Sequence, residues 1–125
     1  MQELDKTVLL RVLIAEDEQF QRESLEAMFK SANSALFGSV SFDARIVCSA
    51  DEVLETLRTD VDWQLVMLDI FMPGRRGDEI IGDVRSILGE KVPLLMISAG
   101  TQMGAVQRCL RLGADFFVAK PLHLN

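Results

Sequence analysis

Acidic, hydroxyl and amine side chains stand where the apolar segments of this chain end. Glu16 and Asp17 follow one such segment, Asp69 and Ser98 follow two others, and Lys120 follows the last. Clustered carboxylates raise one another's pKa unless a cation neutralises them. Their oxygen atoms suit a hard divalent ion, Mg²⁺ with Mn²⁺ as a substitute, whereas zinc prefers His or Cys. With the Lys120 amine and the Ser98 hydroxyl, this set suits phosphoryl transfer to Asp69.

Each of these residues also has a purely structural interpretation. An acid after a strand can cap the next helix, which is the interpretation favoured for Glu18, and Ser98 can cap a helix that starts near Thr101. The signal is therefore the convergence of several such residues, which depends on the elements that position them.

Short apolar segments alternate with amphipathic ones along the chain. The predicted strands are residues 8–15, 45–48, 65–68, 94–97 and 116–119, and the predicted helices are residues 19–32, 51–58, 78–88 and 103–112. Nearly continuous apolar strands are typical of a parallel sheet that is covered on both faces, so we predict a doubly wound α/β fold. Ligands bind at the carboxyl ends of the strands in such sheets. Helical spacing predicts these core residues: Phe20, Leu25, Met28 and Phe29, then Ile80, Ile81, Val84, Ile87 and Leu88.

Composition excludes several classes of function. The length of 125 residues suits one domain, and the net charge of −6 argues against direct nucleic-acid binding. No apolar run approaches the roughly 20 residues that cross a bilayer, which predicts a cytoplasmic protein without membrane association. Cys48 and Cys109 are predicted to be buried thiols, and His123 has no second histidine with which to bind zinc. Residues 31–43 are predicted to form a long connection, with Phe37 and Phe42 as anchors.

The chain leaves too few residues after the last predicted strand for a further full helix. Residues 120–125 are all that follow, so the last helix is predicted to be missing or truncated. Its absence would uncover apolar surface, which predicts a homodimer or a covering partner.

Four segments resemble the response-regulator receiver domain of two-component signalling, of the chemotaxis-regulator type. They are residues 12–18 (VLIAEDE), 65–77 (LVMLDIFMPGRRG), 96–99 (MISA) and 113–121 (GADFFVAKP), in the order of the family's motifs. The resemblance implies a flavodoxin-like, five-stranded sheet in the order 2-1-3-4-5. It also implies a single receiver domain over residues 8–125, with residues 1–7 as an N-terminal extension. Glu16 departs from the commoner Asp, and its longer side chain is expected to leave metal binding intact.

The same resemblance implies roles for individual residues. Asp69 is the expected phosphoacceptor, whereas Asp17 binds Mg²⁺ directly and Glu16 acts through the metal or its water. The backbone carbonyl of Phe71 completes the protein ligands of the metal. The other implied features are phosphoryl contacts by Ser98 and Lys120, a cis peptide at Lys120-Pro121, and a switch role for Ser98 and Phe117. A core phenylalanine is an equally supported interpretation of Phe117, and Arg75 and Arg76 suit either a solvated turn or a partner contact.

The resemblance implies a signalling switch and not an enzyme with a separate substrate. Its expected partners are a sensor histidine kinase or phosphotransfer protein and a downstream effector. The rival interpretations are a flavin-type cofactor module, a phosphohydrolase with an aspartyl-phosphate intermediate, and a degenerate receiver that only binds partners. The acids at residues 16–18 would repel a nucleotide phosphate, and Ile70 and Phe71 cannot serve as a general acid or base beside Asp69.

Overall fold

The computed structural model describes residues 8–35, 40–99 and 103–120. Its strands are β1 (Val8–Ala15), β2 (Val40–Val47), β3 (Leu65–Asp69), β4 (Leu94–Ser98) and β5 (Phe116–Ala119). Its helices are α1 (Gln19–Ala35), α2 (Ala50–Thr59), α3 (Ile81–Leu88) and α4 (Met103–Leu112), and a 3₁₀ turn at Gly77–Ile80 leads into α3. The strands pair in parallel in the order β2-β1-β3-β4-β5. The predicted flavodoxin-like α/β fold and its strand order are confirmed.

Apolar residues cover both faces of the sheet because alternate residues of a strand point to opposite sides. Leu13 and Ala15 of β1 pack in a cluster with residues of α2, α3 and α4. Val12 and Ile14, one position out of phase, pack in a second cluster with Leu25 of α1. This arrangement explains why the central strands read as unbroken apolar segments in the sequence.

Two predicted boundaries are wrong. The segment 31–43 is not a long connection, because α1 continues to Ala35 and β2 already begins at Val40. The Asn33 side chain both donates to and accepts from the backbone of Phe42, at 2.9 and 2.6 Å. Phe42 also packs edge-on against Phe29, with ring centroids 5.4 Å apart. Phe42 is thus an anchor as predicted, while Phe37 lies outside the described residues, as do Thr101, Pro121 and His123.

Three residues predicted to be buried are exposed. Phe20 is 70% exposed because it lies five residues before Leu25, about 140° around the helix from that buried position. Ile87 lies at the edge of the buried face of α3 and is partly exposed. Cys48 is exposed because it follows the end of the outer strand β2, where its N–H donates to Glu52 Oε2 at 3.0 Å. Cys109 is buried, as predicted.

No helix follows β5 among the residues that the structure describes. Phe116 of this outer strand is 58% exposed, so an apolar side chain does face solvent there. Self-association through this face stays a prediction. None of the helices in the described ranges combines the length and the hydropathy that crossing a bilayer requires.

Asp115 joins the start of β5 to the start of β4 through a hydrogen bond. The pKa of its carboxyl group indicates that the stability of the protein depends on pH. Its Oδ2 atom accepts from the Leu94 N–H at 2.9 Å and from Arg85 at 2.8 Å. The Leu94 N–H and then Arg85 hold the pKa of Asp115 below its ordinary value, against a raising effect of burial. A depressed pKa stabilises the fold above the unfolded-state pKa, and this contribution disappears as the pH falls through the folded-state pKa.

The Asp115 side chain is 41% exposed, so solvent screens much of this charge effect. We therefore expect Asp115→Asn to lower the free energy of unfolding by about 0.5 kcal/mol near neutral pH, with a difference from the natural protein that shrinks towards about pH 3. Urea unfolding at both pH values measures this change. Glu90→Gln is the control, because Glu90 forms no ion pair with a described residue. An Asp115→Asn deficit that stays constant with pH would show that its charge is not the cause.

Candidate functional site

The sequence-predicted polar residues meet at the carboxyl edge of the sheet. Glu16 and Asp17 follow β1, Asp69 and Ser98 are the last residues of β3 and β4, and Lys120 follows β5. Because all five strands run in parallel, the ends that carry these residues lie on one edge. The predicted convergence of acids, hydroxyl and amine is therefore present.

Lys120 forms two short ion pairs at the centre of this edge. Its Nζ atom lies 2.6 Å from Asp69 Oδ2 and 2.7 Å from Glu16 Oε1. The Lys120 side chain is 14% exposed, and the two carboxylate side chains are almost completely buried. Acids from two strands are thus held around one amine that comes from a third.

The pKa of Lys120 is raised above its ordinary value. Burial acts to lower it, but hydrogen bonds and charge attraction from Asp69 and Glu16 outweigh that effect. The amine therefore stays protonated at neutral pH and provides a fixed positive charge beside the Asp69 carboxylate.

One amine does not balance the acids of the site. Carboxylate oxygens of Glu16, Asp17 and Asp69 all lie within 4.8 Å of one another. With Lys120 as the ion-pair partner of two of them, the cluster keeps excess negative charge. Hard oxygen donors at this spacing, with negative charge in excess, fit a hard divalent cation such as Mg²⁺. The structure therefore supports the predicted metal at the level of the donor set.

The backbone around Asp69 holds its carboxylate in place. The Phe71 N–H donates to Asp69 Oδ1 at 3.2 Å, so the Phe71 backbone lies beside the predicted acceptor. The Lys120 N–H donates to the Ser98 carbonyl at 2.8 Å, which joins the ends of β4 and β5. Ser98 is buried at this junction. A metal bond from the Phe71 carbonyl and a phosphoryl contact from the Ser98 hydroxyl stay predictions.

Phe117 is partly buried and packs against the core cluster between the sheet and α2, α3 and α4. The core interpretation of this residue therefore holds in this structure. Its predicted switch role needs a second conformation and stays a prediction.

Arg22 is a residue of this site that the sequence analysis missed. Its guanidinium donates to the backbone carbonyls of Asp17 at 2.6 Å and Glu16 at 3.3 Å, and so holds the acidic loop against α1. The sequence feature that could have identified Arg22 is its position in the first turn of a helix, where the macrodipole disfavours positive charge. A residue in an unfavourable place often has a specific contact to explain it.

Comparisons with known proteins agree with this geometry. A model of the family described as the response regulator receiver domain matches residues 12–125. The chain is 36% identical over 115 residues to a protein-glutamate methylesterase/protein-glutamine glutaminase of Bacillus licheniformis, covering 90% of the chain and 30% of that protein. It is 31% identical over 116 residues to the transcriptional regulatory protein DltR of Streptococcus agalactiae, covering 93% of the chain and 47% of that protein. The chain thus spans less than half of the length of these relatives.

Solved structures share the fold at low sequence identity. The chemotaxis protein CheY4 of Vibrio cholerae superposes with a TM-score of 0.80 at 20% identity, covering 93% of this chain and 90% of that one. The receiver domain of a sensor histidine kinase from Pseudomonas aeruginosa, solved with a magnesium ion in its active site cleft, gives a TM-score of 0.75 at 20% identity, covering 91% and 87%. Because the family model spans nearly the whole chain, including every residue of the acidic edge, this chain belongs to the response regulator receiver domain family.

Proposed function

We propose that Asp69 accepts a phosphoryl group and that the acylphosphate switches the surface that a downstream effector reads. The observation that carries this proposal is the ion pair between Lys120 and a buried Asp69 inside a cluster of acids. A buried carboxylate that is only structural would be balanced by its partner, whereas this cluster keeps charge to be neutralised.

The proposed transfer is an in-line displacement at phosphorus. An Asp69 carboxylate oxygen forms the new P–O bond while the P–N bond of a partner's phosphohistidine breaks, and the electron pair stays on the imidazole nitrogen. With acetyl phosphate as the donor, a P–O bond breaks instead and acetate leaves. Lys120 is placed to offset the charge on the phosphoryl oxygens, and Ser98 would donate its hydroxyl to one of them.

The proposed metal ligands are Asp17, Asp69 and the Phe71 carbonyl, with Glu16 acting directly or through water. When bound, Mg²⁺ (or Mn²⁺) supplies further neutralisation of the phosphoryl charge. The chain's own part is to hold the Asp69 oxygen at a fixed place, through the Phe71 N–H and the Lys120 amine. Binding and orientation, more than covalent chemistry by other side chains, are thus what the fold contributes.

Phosphorylation would change which packing of the switch residues is preferred. The phosphoryl group adds charge and acceptor oxygens, which would draw the Ser98 hydroxyl inward and let the ring of Phe117 turn. The proposed partners are a sensor histidine kinase or phosphotransfer protein as donor and an effector domain or protein as reader, all in the cytoplasm. The size of the effect depends on how unequally the phosphoryl group favours the two packings.

Intact-mass measurement tests the proposal. We expect incubation with acetyl phosphate and Mg²⁺ to add the mass of one phosphoryl group, and incubation with EDTA to add none. Reductive trapping followed by peptide mapping should assign the modification to Asp69. A modification at another residue, or uptake that is unchanged in EDTA, would contradict the proposed site.

A further inference from the structure

An arginine-lined groove lies beside the phosphoacceptor loop, between that loop and α4. It has a volume of about 620 Å³ and is lined, among the described residues, by Phe71, Arg76, Gly104, Ala105, Arg108 and Arg111. This volume lies within the range that is typical of ligand-binding clefts in proteins. Gly104 and Ala105 are small, so a bound chain can approach α4 closely.

The buried carboxylate of Asp78 holds two of the guanidinium groups in place from the protein interior. This carboxylate accepts from Arg76 Nε at 2.9 Å and Nη2 at 2.8 Å, and from Arg108 Nη2 at 2.7 Å. The side chain of Asp78 is 6% exposed, whereas those of Arg76 and Arg108 are 40% and 45% exposed. Each guanidinium is thus fixed along one edge and open to solvent on the other. Arginines fixed in this way lose little conformational entropy when they bind an anion.

The groove keeps positive charge on a protein that is acidic overall. Asp78 is a single carboxylate that pairs with two arginines, and no acid is among the described residues that line the groove. Arg111 adds a further cation that forms no hydrogen bond or ion pair with any described residue. The whole chain carries a net charge of −6, so this is a local reversal of sign.

The ring of Phe71 gives the groove an apolar wall. It is 55% exposed, and the Arg76 guanidinium carbon lies 5.5 Å from its centroid. A groove with both an aromatic wall and fixed guanidinium groups suits a ligand that presents carboxylates next to apolar side chains.

We propose that this groove binds an acidic segment of a partner protein, in which glutamate or aspartate alternates with apolar residues. A long uniform polyanion such as nucleic acid would meet the acidic remainder of the surface, whereas a short acidic segment needs only the groove. The groove shares Phe71 with the proposed metal site, but none of the clustered carboxylates Glu16, Asp17 and Asp69 lines it, so binding does not require phosphorylation of Asp69.

Fluorescence anisotropy with a labelled peptide of alternating glutamate and leucine tests this docking surface. A peptide with glutamine in place of every glutamate is its control. We expect the glutamate peptide to bind at least about tenfold more tightly, and Arg111→Glu to weaken its binding by about tenfold or more. The backbone amide signals of Gly104 and Ala105 should shift when the glutamate peptide is added.

Arg58→Glu is the matched control variant. Arg58 also lies in the last turn of a helix, α2, and its side chain is exposed, so the change in charge and helix position is the same away from the groove. Equal binding of the two peptides, or equal weakening by Arg111→Glu and Arg58→Glu, would overturn the proposal. It would also be overturned if a single-stranded DNA oligonucleotide bound the groove more tightly than the glutamate peptide. These outcomes are separate from the test of Asp69, because the peptide is added without a phosphodonor.

Discussion

Asp69→Asn is expected to abolish phosphoryl uptake from acetyl phosphate in the presence of Mg²⁺. The amide is a poor nucleophile and carries no charge to attract the metal ion, and neither Glu16 nor Asp17 holds the place next to the Phe71 N–H. Intact-mass measurement over a time course is the readout. Asp83→Asn is the control, because Asp83 is an exposed acid of α3 that pairs with Arg75 and is not part of the acidic cluster. The control variant should take up the phosphoryl group at the rate of the natural protein.

The same substitution is expected to leave the fold intact or stabilise it. Asp69 contributes one of three crowded carboxylates, and its loss relieves repulsion while Lys120 keeps its ion pair with Glu16. We expect the free energy of unfolding in urea, without Mg²⁺, to rise by up to about 1 kcal/mol. An inactive variant of undiminished stability separates loss of chemistry from loss of structure. Uptake by the Asn variant at the natural rate would show that another residue is the acceptor.

The strand order and the meeting of the acids could be predicted because topology fixes both. Once the strands are parallel, residues at their carboxyl ends share one edge, whatever the details of packing. Lys120 lies 51 positions after Asp69 and farther still from Glu16, yet it forms ion pairs with both. The exposure of individual side chains was predicted less well, because it depends on which strands lie at the edges of the sheet and where each strand ends. Cys48 has an apolar segment before it but follows the end of an outer strand.

The anchoring of the groove could not be predicted from the sequence. Arg76 and Asp78 are two positions apart, and the sequence allowed Arg76 to be part of either a solvated turn or a partner contact. In the structure, Arg76 pairs with the buried carboxylate of Asp78, which also accepts from Arg108, 30 positions after Asp78 on α4. Such a contact depends on the packing of α4 against the 3₁₀ turn and not on any local pattern. The orientations of the side chains around the site therefore depend on tertiary contacts. The close approach of Gly77 to β3 depends on such contacts as well.

Gly77 lies against the backbone of Asp69, the proposed phosphoacceptor. Its N–H donates to the Ile70 carbonyl at 2.9 Å. A Cβ atom at this position would overlap the carbonyl oxygen of Asp69 and crowd the Cα of Ile70. These neighbours are backbone atoms at the end of a central strand, so they cannot move aside as a side chain would.

Gly77→Ala is therefore expected to lower the free energy of unfolding by about 3 kcal/mol, because the loop or the end of β3 must shift to admit one methyl group. Since Asp69 lies at that end, we expect the rate of phosphoryl uptake by the folded variant to fall by about tenfold or more. Gly82→Ala is the matched control: Gly82 lies within α3, and an added Cβ there has no atom within 4 Å. That change should stabilise the protein by about 0.5 to 1 kcal/mol. Urea unfolding and intact mass measure both effects, and a Gly77→Ala variant that matches Gly82→Ala in both would show that the close approach at Asp69 does not constrain the site.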